Sequence, residues 1–553
     1  MNKRKRWFTS LLLLLVLGFM ILNSLITQDM QYRLVRDEDG KEGNSIINTV
    51  ADAASSVGSS KESAIPEDSI VLWYTDENLK EYLESEALSF QGEHGVKIEP
   101  VLVSGVKLLE QINTASIERP EINIGGEKNG EKAEEKTDDK TVRAPDIYVT
   151  SHDNLLKAYY SGLAVPINDA DVVVVPQNYP QTAIDAVTCN NKVVAYPFYY
   201  ETNFLLYNKT YMANIAKQKV NDESLNSEGE TEGEGEDPGV EKEDAETIEL
   251  SEEEVSEAVE ALEAQDSDPM GNEDGTSDPA VLEKLATMIP TTITDITNFA
   301  NNYDAPDTVE AVFKWDITDV FYNYFFVGNY MSVGGEHGDD NTILNVYNQQ
   351  AVDCLSVYRD MNKYFSIDTE EVTYDEILND FIEGKLVFTV ATTDAIARIE
   401  EAKANGEFEY EYGVAVLPDV TPNLKSRGMS VTNSVAINGY SDKADMAMNF
   451  GHYIAYTKAD NLYKKSGKLP CRNYVSYENK DIMSIVAEYQ KSVPLPKLVE
   501  TSDYWVQLEI AFTKVWNGAD PEEALKGLAE AIGSHIDELD YHTPIQESIG
   551  VGL

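Results

Sequence analysis

Short apolar runs alternate with segments of helical apolar spacing in the first folded part of the chain. Residues 69–74, 97–103 and 146–150 are β-rich runs that predict strands, whereas residues 106–117 and 154–161 have the spacing of helices. An alternation of strands and helices is typical of a largely parallel sheet with helices on both faces. We therefore expect an α/β architecture.

The second folded part of the chain has a more helical pattern. It opens with a predicted helix at residues 294–303, which is followed by an aromatic-dense stretch at 313–330. The later predicted elements are helices at 345–365 and 375–382, strands at 386–391, 414–417 and 434–437, and helices from 444 to the C-terminus. This order predicts a second lobe that is rich in helix and discontinuous in sequence.

The N-terminus combines basic charge with a long apolar run. Residues 3–6 are all Lys or Arg, and they precede the apolar residues 7–26, which have roughly the length needed to span a bilayer. Neither a cysteine nor an A-x-A cleavage site follows this run, which favours an uncleaved membrane anchor over residues 1–28, with a removed signal peptide as the alternative. Residues 29–68 are small and polar and predict a flexible tether. The folded part is therefore expected at the outer face of a bacterial cell membrane, or secreted if the signal is removed.

The chain as a whole is strongly acidic. It has 43 Lys+Arg against 98 Asp+Glu, a formal charge of -55, and a field of that sign excludes nucleic acid as a partner. Residues 221–279 alone hold 24 Asp or Glu and a single Lys, which predicts a disordered acidic insertion over about 217–285. We favour a solvated insertion here over a cation-binding or partner-binding tail. A second charged segment, about 119–143, is also predicted to be disordered.

Catalytic and metal-binding motifs are missing from the sequence. Cys189, Cys354 and Cys471 lie far apart without a C-x-x-C pair, which favours three buried free thiols, with one disulfide as the alternative. The Gly-rich run at 334–340 contains carboxylates that suit Ca²⁺, but its spacing is not that of an EF-hand, and a solvated turn is the favoured interpretation. Because no H-E-x-x-H, G-x-S-x-G or Walker motif occurs, we expect no catalytic residues, no metal site and no cofactor.

Several segments, taken in order, resemble a known family. Residues 144–153 and 159–167 look like a PDI strand and a Gly-Leu turn, and residues 190–209 are similar to a crossover strand between two lobes. The matching segments that follow are 290–296, 381–393, 412–418 and the aromatic pair at 504–505. Over residues 69–532, without the two insertions, the chain resembles the family 1 extracellular solute-binding proteins of ABC importers, the maltose-binding-protein-like group.

The resemblance implies a two-lobed periplasmic-binding-protein fold, type II-like, in which each lobe is a sheet flanked by helices. Residues 69–202 would form lobe 1 and 203–389 most of lobe 2, 390–440 would return to lobe 1, and 441–553 would be helices shared between the lobes. A ligand would lie in the cleft between them. Open α/β sheets bind ligands beyond the carboxyl ends of their strands, which agrees with this placement.

The resemblance also implies a set of ligand contacts, since sugars are recognised by flat apolar rings and hydrogen-bonding carboxylates. The implied ligand-binding residues are Tyr74, Asp76, Glu77, Asp153, Glu201, Trp315, Asp316, Asp394, Tyr504 and Trp505. Two positions depart from the maltose-binding pattern, because Thr150 stands where a stacking tryptophan is found and Asp394 where an aromatic is expected. The cleft is therefore expected to be acidic on one wall, and both an amino-containing sugar and a maltodextrin stay open as ligands.

Some of these residues also fit ordinary structural roles. Asp76 and Glu77 fit a helix N-cap followed by a first-turn acid, and Glu201 fits a structural ion pair.

The expected function is that of a monomeric receptor, not an enzyme, that captures a sugar or oligosaccharide and delivers it to the permease subunits of an ABC importer. A membrane-tethered ligand sensor or accessory protein of the same fold is the alternative. A surface glycoside hydrolase is a third hypothesis, but a pair of carboxylates in so acidic a chain is no evidence for it.

Overall fold

The computed structural model describes residues 68–117, 143–229, 278–365, 367–369, 372–498 and 504–533. The predicted anchor and tether, most of both charged insertions and the last twenty residues lie outside the described residues. In the part of the chain that is described, no helix has the length and apolar character needed to cross a membrane.

Fourteen strands are described, most of them short. They are β1 (Ile70–Tyr74), β2 (Ile98–Leu102), β3 (Ile147–Ser151), β4 (Thr188–Cys189), β5 (Lys192–Val193), β6 (Ala195–Asn208), β7 (Ala311–Phe313), β8 (Ser332–Val333), β9 (Leu344–Asn345), β10 (Leu386–Thr392), β11 (Tyr412–Ala415), β12 (Met429–Ile437), β13 (Leu469–Pro470) and β14 (Val493–Pro494).

Helices fill the intervals between the strands and dominate the C-terminal part. They are α1 (Lys80–His94), α2 (Leu108–Ile117), α3 (Leu155–Tyr160), α4 (Ala170–Val173), α5 (Gln181–Val187), α6 (Lys209–Gly229), α7 (Pro279–Ala286), α8 (Ile293–Asn302), α9 (Val320–Asn323), α10 (Gln349–Phe365), α11 (Tyr374–Ile382), α12 (Asp394–Asn405), α13 (Ala444–His452), α14 (Leu462–Ser466), α15 (Ile482–Lys491), α16 (Tyr504–Trp516) and α17 (Pro521–Gly533). The fold is thus mixed α/β, as predicted, and each helix and strand predicted within the described residues has a counterpart. The predicted N-terminal helix lies outside those residues.

Ten of the described strands form one large sheet with the main order β2-β1-β3-β12-β6-β10-β7, to which β11 and β13 add by pairing with β6 and β14 by pairing with β12. Strands β4 and β5 form one separate two-stranded sheet, and β8 and β9 form another. We call β1, β2, β3, β12, β13 and β14, together with residues 195–202 of β6, the first strand group. The second strand group consists of β7, β10 and β11 with residues 203–208 of β6. Because β6 is shared, it carries the chain from one group into the other.

The expectation of a largely parallel sheet is only partly correct. Strand β1 pairs in parallel with β2 and with β3, as the strand–helix alternation predicts. Strand β12, however, is antiparallel to both β3 and β6. Strand β12 lies far along the chain from its partners β3 and β6, and its direction is set by pairing with them. The local sequence predicts that a strand is present but not the direction in which it runs.

Strand β6 is unusually long, with 14 residues that are almost all buried. Its sequence AYPFYYETNFLLYN is rich in aromatic and apolar residues, which fit a strand covered on both faces. Glu201 interrupts this run close to the point where β6 passes from β12 to β10. A charged residue is therefore held at the junction of the two strand groups.

A cluster of aromatic rings forms the core beside the second strand group. Trp315 is fully buried, stacks on Phe313 with ring centroids 4.6 Å apart, and meets Trp516 edge-on at 5.5 Å. Tyr358 of α10 closes the cluster against Trp516. Buried aromatic rings of this size contribute much of the hydrophobic stabilisation of a core. The aromatic-dense stretch at 313–330 therefore packs α10 and α16 onto the sheet.

The three cysteines are all free and buried, which confirms the favoured prediction of three thiols without a disulfide.

Candidate functional site

Three of the predicted site residues lie along one edge of the first strand group. Asp76 comes two residues after the end of β1, and Asp153 two residues after the end of β3. Strand β12 is antiparallel to both β3 and β6, so β3 and β6 run in the same direction. Asn433 of β12 pairs with Ser151 at the end of β3 and with Tyr199 of β6, so these two residues lie at the same position along the strands. Glu201 therefore lies at the edge where the parallel strands end, the usual position of ligand sites in open α/β sheets.

Lys468 joins two of these carboxylates, and it was not identified from the sequence. Its Nζ lies 2.8 Å from Asp76 Oδ2 and 3.5 Å from Glu201 Oε1. The ammonium also lies 5.5 Å from the centroid of the Tyr199 ring. Residues that are 392 and 267 positions away in sequence thus meet at one cation, with each of the three charged side chains less than one-fifth exposed.

The local fold explains how Lys468 reaches this position. Helix α14 ends at Ser466 and is capped by Gly467, which adopts a left-handed conformation with φ of 69°. The chain then enters β13, where Leu469 pairs with Tyr200 in antiparallel register. This register sets Lys468 opposite Glu201.

The charges at the site shift the protonation equilibria of its members. Burial raises the pKa of Glu201, an effect that Asp76 and Asp394 reinforce and Lys468 opposes. Burial by itself would lower the pKa of Lys468, but Glu201, Asp76 and Asp394 together outweigh it, so the pKa of Lys468 is raised. The lysine is therefore held in its charged form among carboxylates.

Asp394 approaches this site from the second strand group. It begins α12 immediately beyond β10 and remains about half exposed. Its carboxylate accepts hydrogen bonds from the hydroxyls of Tyr374, at 3.2 Å, and of Thr392. The negative charge of Asp394 raises the pKa of both Glu201 and Lys468. Asp394 beyond β10 therefore interacts electrostatically with the charged residues at the edge of the first strand group.

Two tyrosines stand beside Asp394 and were also missed in the sequence. The rings of Tyr322 and Tyr374 are stacked, with centroids 4.8 Å apart and planes at 26°. Burial raises the pKa of the Tyr322 hydroxyl, and Tyr374, Asp319, Asp394 and Asp316 add to the effect. Predicted site residue Asp316 therefore lies in the same neighbourhood, where its Oδ1 accepts a hydrogen bond from the Thr318 backbone N–H at 2.9 Å.

The structure places Trp315 in the core rather than on a wall of the site. Its indole is fully buried, and Nε1–H donates to Asn323 Oδ1 at 2.9 Å. A ring enclosed in this way has no face open to a solute. The motif that suggested a stacking role is local, whereas the direction of this side chain is set by packing against α10 and α16.

Tyr74, Glu77 and Asp153 each have local contacts of their own. Tyr74 is buried at the end of β1, where burial and the carboxylates of Glu84 and Glu77 raise the pKa of its hydroxyl to about 12. Glu77 itself is exposed in the first turn after Asp76. Asp153 accepts a hydrogen bond from the Ser151 hydroxyl, and burial raises its pKa.

The aromatic pair at the start of α16 is divided between core and surface. Tyr504 is buried, with its hydroxyl 3.9 Å from Met331 Sδ. Trp505 is half-buried and meets the ring of Tyr324 at 5.8 Å. The structure does not connect either ring with Lys468 by a described contact, so their role in ligand binding stays a prediction.

Asp76 combines the two roles considered for it. Its Oδ1 caps the short helix Glu77–Leu79 by accepting from Asn78 N–H at 3.0 Å, while Oδ2 faces Lys468. The cap fixes the orientation of the carboxylate and leaves the second oxygen for the site.

The carboxylates of the Gly-rich run 334–340 have separate partners. Asp339 Oδ2 accepts from the Asn190 backbone N–H at 2.6 Å, and Asp340 Oδ1 accepts from the backbone and the hydroxyl of Thr342. Among the described residues no group of three His, Cys, Asp or Glu side chains is arranged to hold a metal ion.

Comparison with solved structures identifies the fold. A cyclo/maltodextrin-binding protein complexed with maltotetraose matches with a TM-score of 0.58 and 17% identity, over 86% of this chain and 100% of that chain. The chain has a solute-binding-protein fold. An extracellular solute-binding protein from Staphylococcus aureus in complex with maltose has a TM-score of 0.59 and 17% identity, over 85% of this chain and 98% of that chain. A maltose-binding periplasmic protein from Listeria monocytogenes, also with maltose, has a TM-score of 0.59 and 15% identity over the same shares.

These solute-binding proteins share the fold with this chain, but too few identical residues to transfer a ligand. No family model matches the sequence, and no curated protein matches it. The resemblance noted in the sequence motifs is thus confirmed at the level of the fold.

Within the solute-binding-protein fold, the site offers a defined set of interactions. Asp76, Glu201 and Asp394 provide carboxylate acceptors, and Lys468 provides an ammonium donor. Sugar hydroxyls both donate and accept hydrogen bonds, and charged partners make those bonds stronger. The arrangement suits a neutral polyhydroxylated ligand.

Proposed function

We propose that this protein is an outward-facing receptor that binds a neutral sugar or oligosaccharide between two lobes and passes it to the permease of an ABC importer. The observation that carries the proposal is the meeting of Asp76, Glu201 and Lys468 at the strand ends, in the field of Asp394. The site would bind its ligand without changing it chemically.

The lobes of the proposal correspond to the two strand groups. Lobe 1 would contain residues 69–202 and the later strands β12, β13 and β14, and lobe 2 most of 203–389. Strand β11 and Asp394, which fall within the predicted return of 390–440, lie with the second strand group, so the return to lobe 1 would begin at β12. The C-terminal helices would be shared. Strand β6 would act as part of the hinge, because it pairs with β12 before residue 203 and with β10 and β11 after it. Hinge closure would then bring Asp394 toward Lys468 around the ligand.

The ionic arrangement favours a neutral sugar over an amino-containing one. A protonated amino group on the ligand would have to compete with Lys468 for Asp76 and Glu201, and both partners are already within 3.5 Å of its ammonium. Displacing a paired and largely buried cation costs more than adding hydroxyls beside it. Within the proposed function, the acidic wall thus serves as a set of acceptors for hydroxyl groups.

The proposed location is the outer face of the cell membrane, and the proposed partner in the membrane is a permease. The supporting observation is that the matching structures include an extracellular solute-binding protein and a periplasmic maltose-binding protein. We propose that the protein acts there as a monomer.

A thermal-shift screen followed by calorimetric titration tests the proposal. Neutral maltooligosaccharides and other neutral sugars should raise the melting temperature, because a ligand that binds the folded state alone stabilises it by mass action. Glucosamine, free amino acids and divalent cations serve as the comparison panel. The proposal fails if no neutral carbohydrate binds, or if an amino acid or a cation is the tightest ligand.

A further inference from the structure

A cavity of about 320 Å³ lies beside α15, away from the carboxylates described above. Its walls come from α15, from the segment that follows β13, and from Pro180 just before α5. Tyr200 of β6 also lines it. Successive side chains of a strand point to opposite faces, so Tyr200 lies on the face of β6 opposite to Tyr199 and Glu201. The cavity is therefore separate from the proposed sugar site.

The lining of this cavity is largely aromatic and apolar. The rings of Tyr200 and Tyr489 are parallel, with centroids 3.8 Å apart and planes at 4°. Val486 and Met483 of α15 add aliphatic surface, and Tyr477 adds a third ring. Walls of this kind bind flat apolar rings through dispersion and stacking.

Arg472 and the Tyr200 hydroxyl are donors in this cavity, and the amide side chains of Asn473 and Gln490, which both donate and accept, also line it. Among the described residues that line the cavity, the charged side chain is that of Arg472. Its guanidinium lies 3.3 Å from the exposed carboxylate of Asp460 and 4.9 Å from the centroid of the Tyr456 ring. The Tyr200 hydroxyl is buried and has no hydrogen-bond partner among the described residues. Burial also raises its pKa well above the usual value, so it stays protonated. A guanidinium and an unpartnered phenol together fit an anionic acceptor.

The chain leading into the cavity shows backbone strain. Tyr474 has φ of 63°, a left-handed conformation that is uncommon for residues other than glycine, and the residue is 91% exposed. Such outliers cluster at sites where a particular side-chain position is needed. Here the outlier holds an aromatic ring at the rim of the cavity.

We propose that this cavity is a second ligand site, which takes a small molecule with one planar ring and a carboxylate. Its volume is near the lower end of the range of about 300–1,000 Å³ for ligand pockets, which admits a single ring and excludes an oligosaccharide. The ring lies among Tyr477, Tyr489 and Val486, and the carboxylate meets Arg472 and the Tyr200 hydroxyl.

Ligand-observed NMR on the full chain, with benzoate and benzylamine as probes, tests this site. The two probes have the same ring but opposite charge. Benzoate should bind and benzylamine should bind at least about fivefold more weakly, because the charged side chain among the described lining residues, Arg472, is a cation. The proposal is overturned if benzoate does not bind or if benzylamine binds equally well.

Two variants locate the bound probe. Val486→Trp fills the cavity and should abolish benzoate binding, and Tyr200→Phe removes the hydroxyl and should weaken it about threefold, the loss of roughly one hydrogen bond. Tyr200→Phe should keep the melting temperature of the free protein, since its hydroxyl has no described partner. Tyr364→Phe, at an exposed position on α10, is the matched control and should leave benzoate binding unchanged. Benzoate binding that persists unchanged in both Val486→Trp and Tyr200→Phe overturns the assignment.

Discussion

At the scale of single residues, the site depends on one lysine that balances two carboxylates. Lys468 lies within ion-pair distance of Asp76 and Glu201, and all three side chains are largely buried. Removing one member of such a group leaves the others uncompensated in a poorly solvated place. The hydrogen-bonding capacity of the site and its stability are therefore linked.

Replacing Glu201 by Gln should weaken binding of the neutral sugar found in the screen by about tenfold or more, since a charge-assisted hydrogen bond to a hydroxyl is replaced by a neutral one. Calorimetric titration measures the effect. Glu81→Gln makes the same chemical change at an exposed position on α1 and should bind like the wild type. Equal affinity in Glu201→Gln and the wild type would remove Glu201 from the site.

Trp315 and Trp505 should respond differently to truncation. Trp315→Ala should reduce the free energy of unfolding by about 3–5 kcal/mol, the usual cost of emptying a buried aromatic site. Trp505→Ala should cost clearly less, because its ring is only half-buried. Urea denaturation of both variants checks this, and a Trp315→Ala protein as stable as the wild type would contradict a core role for the indole.

At the scale of elements, α15 connects the two strand groups. Asp481 Oδ1 at its N-terminus accepts from the Val414 backbone N–H of β11 at 3.3 Å, and Glu488 accepts from Leu417 N–H. On the other side, the carbonyl of Gln490 accepts from the Thr182 hydroxyl of α5 at 3.1 Å. The helix therefore contacts the structure on both sides of β6.

The carboxyl of Asp481 should make stability depend on pH. Burial, partly offset by Lys209, raises its pKa from 3.8 to about 6. The folded state thus holds this proton more tightly than the unfolded chain does, so the contribution of Asp481 to stability is greatest at low pH and is lost as pH rises from about 4 through 6.

Asp481→Asn should consequently be more stable than the wild type at pH 7.5, by about 1–3 kcal/mol, and the difference should shrink toward pH 4. Urea denaturation at several pH values measures it. Asp171→Asn changes an exposed carboxyl in the same way and should show no such trend. A difference between Asp481→Asn and the wild type that is the same at both pH values would contradict the assigned cause.

The elements differ in how well the sequence could predict them. The strands β1, β2, β3 and β10 carry compact apolar runs, and these predict the strand positions to within a residue or two. Strand β12 begins at Met429, five residues before its predicted start. Its first part contains the polar residues Ser430, Thr432 and Asn433, so it lacks the apolar run by which a largely buried strand is recognised. Strand β13 has two residues and no local pattern.

The candidate site, like the strands, could be predicted only in part from the sequence. Asp76, Glu201 and Asp394 follow or interrupt recognisable strands, so their place at the sheet edge could be predicted. Lys468 could not be, because it reaches the site through the pairing of β13 with a strand more than 260 residues earlier. The sequence motif predicts a ligand contact for Trp315, but its side chain is buried in the core. A motif does not record the direction of a side chain, because that direction is set by packing.

At the scale of the whole molecule, the two strand groups should move as units. The long strand β6 passes between them, with Glu201 at the crossing, and Asp394 approaches from the far side. A sugar that contacts carboxylates of both groups favours the closed arrangement by its differential affinity. Binding and closure are therefore expected to be the same event.

The buried thiols make this motion measurable by spin labelling. Burial raises the pKa of Cys189 to about 11 and of Cys471 to about 12, and it raises that of Cys354 as well, so the native thiols should react slowly. Val106 and Ala397 are exposed and follow the carboxyl ends of β2 and β10, which belong to the first and the second strand group.

The most direct test is therefore the distance between spin labels at Val106→Cys and Ala397→Cys, measured by pulsed electron paramagnetic resonance with and without the neutral sugar that binds most tightly. A shift of the distance distribution to shorter values on binding, which is absent when Glu201→Gln is added, is the predicted result. An unchanged distribution at saturating sugar would contradict a receptor that closes its two lobes around the ligand.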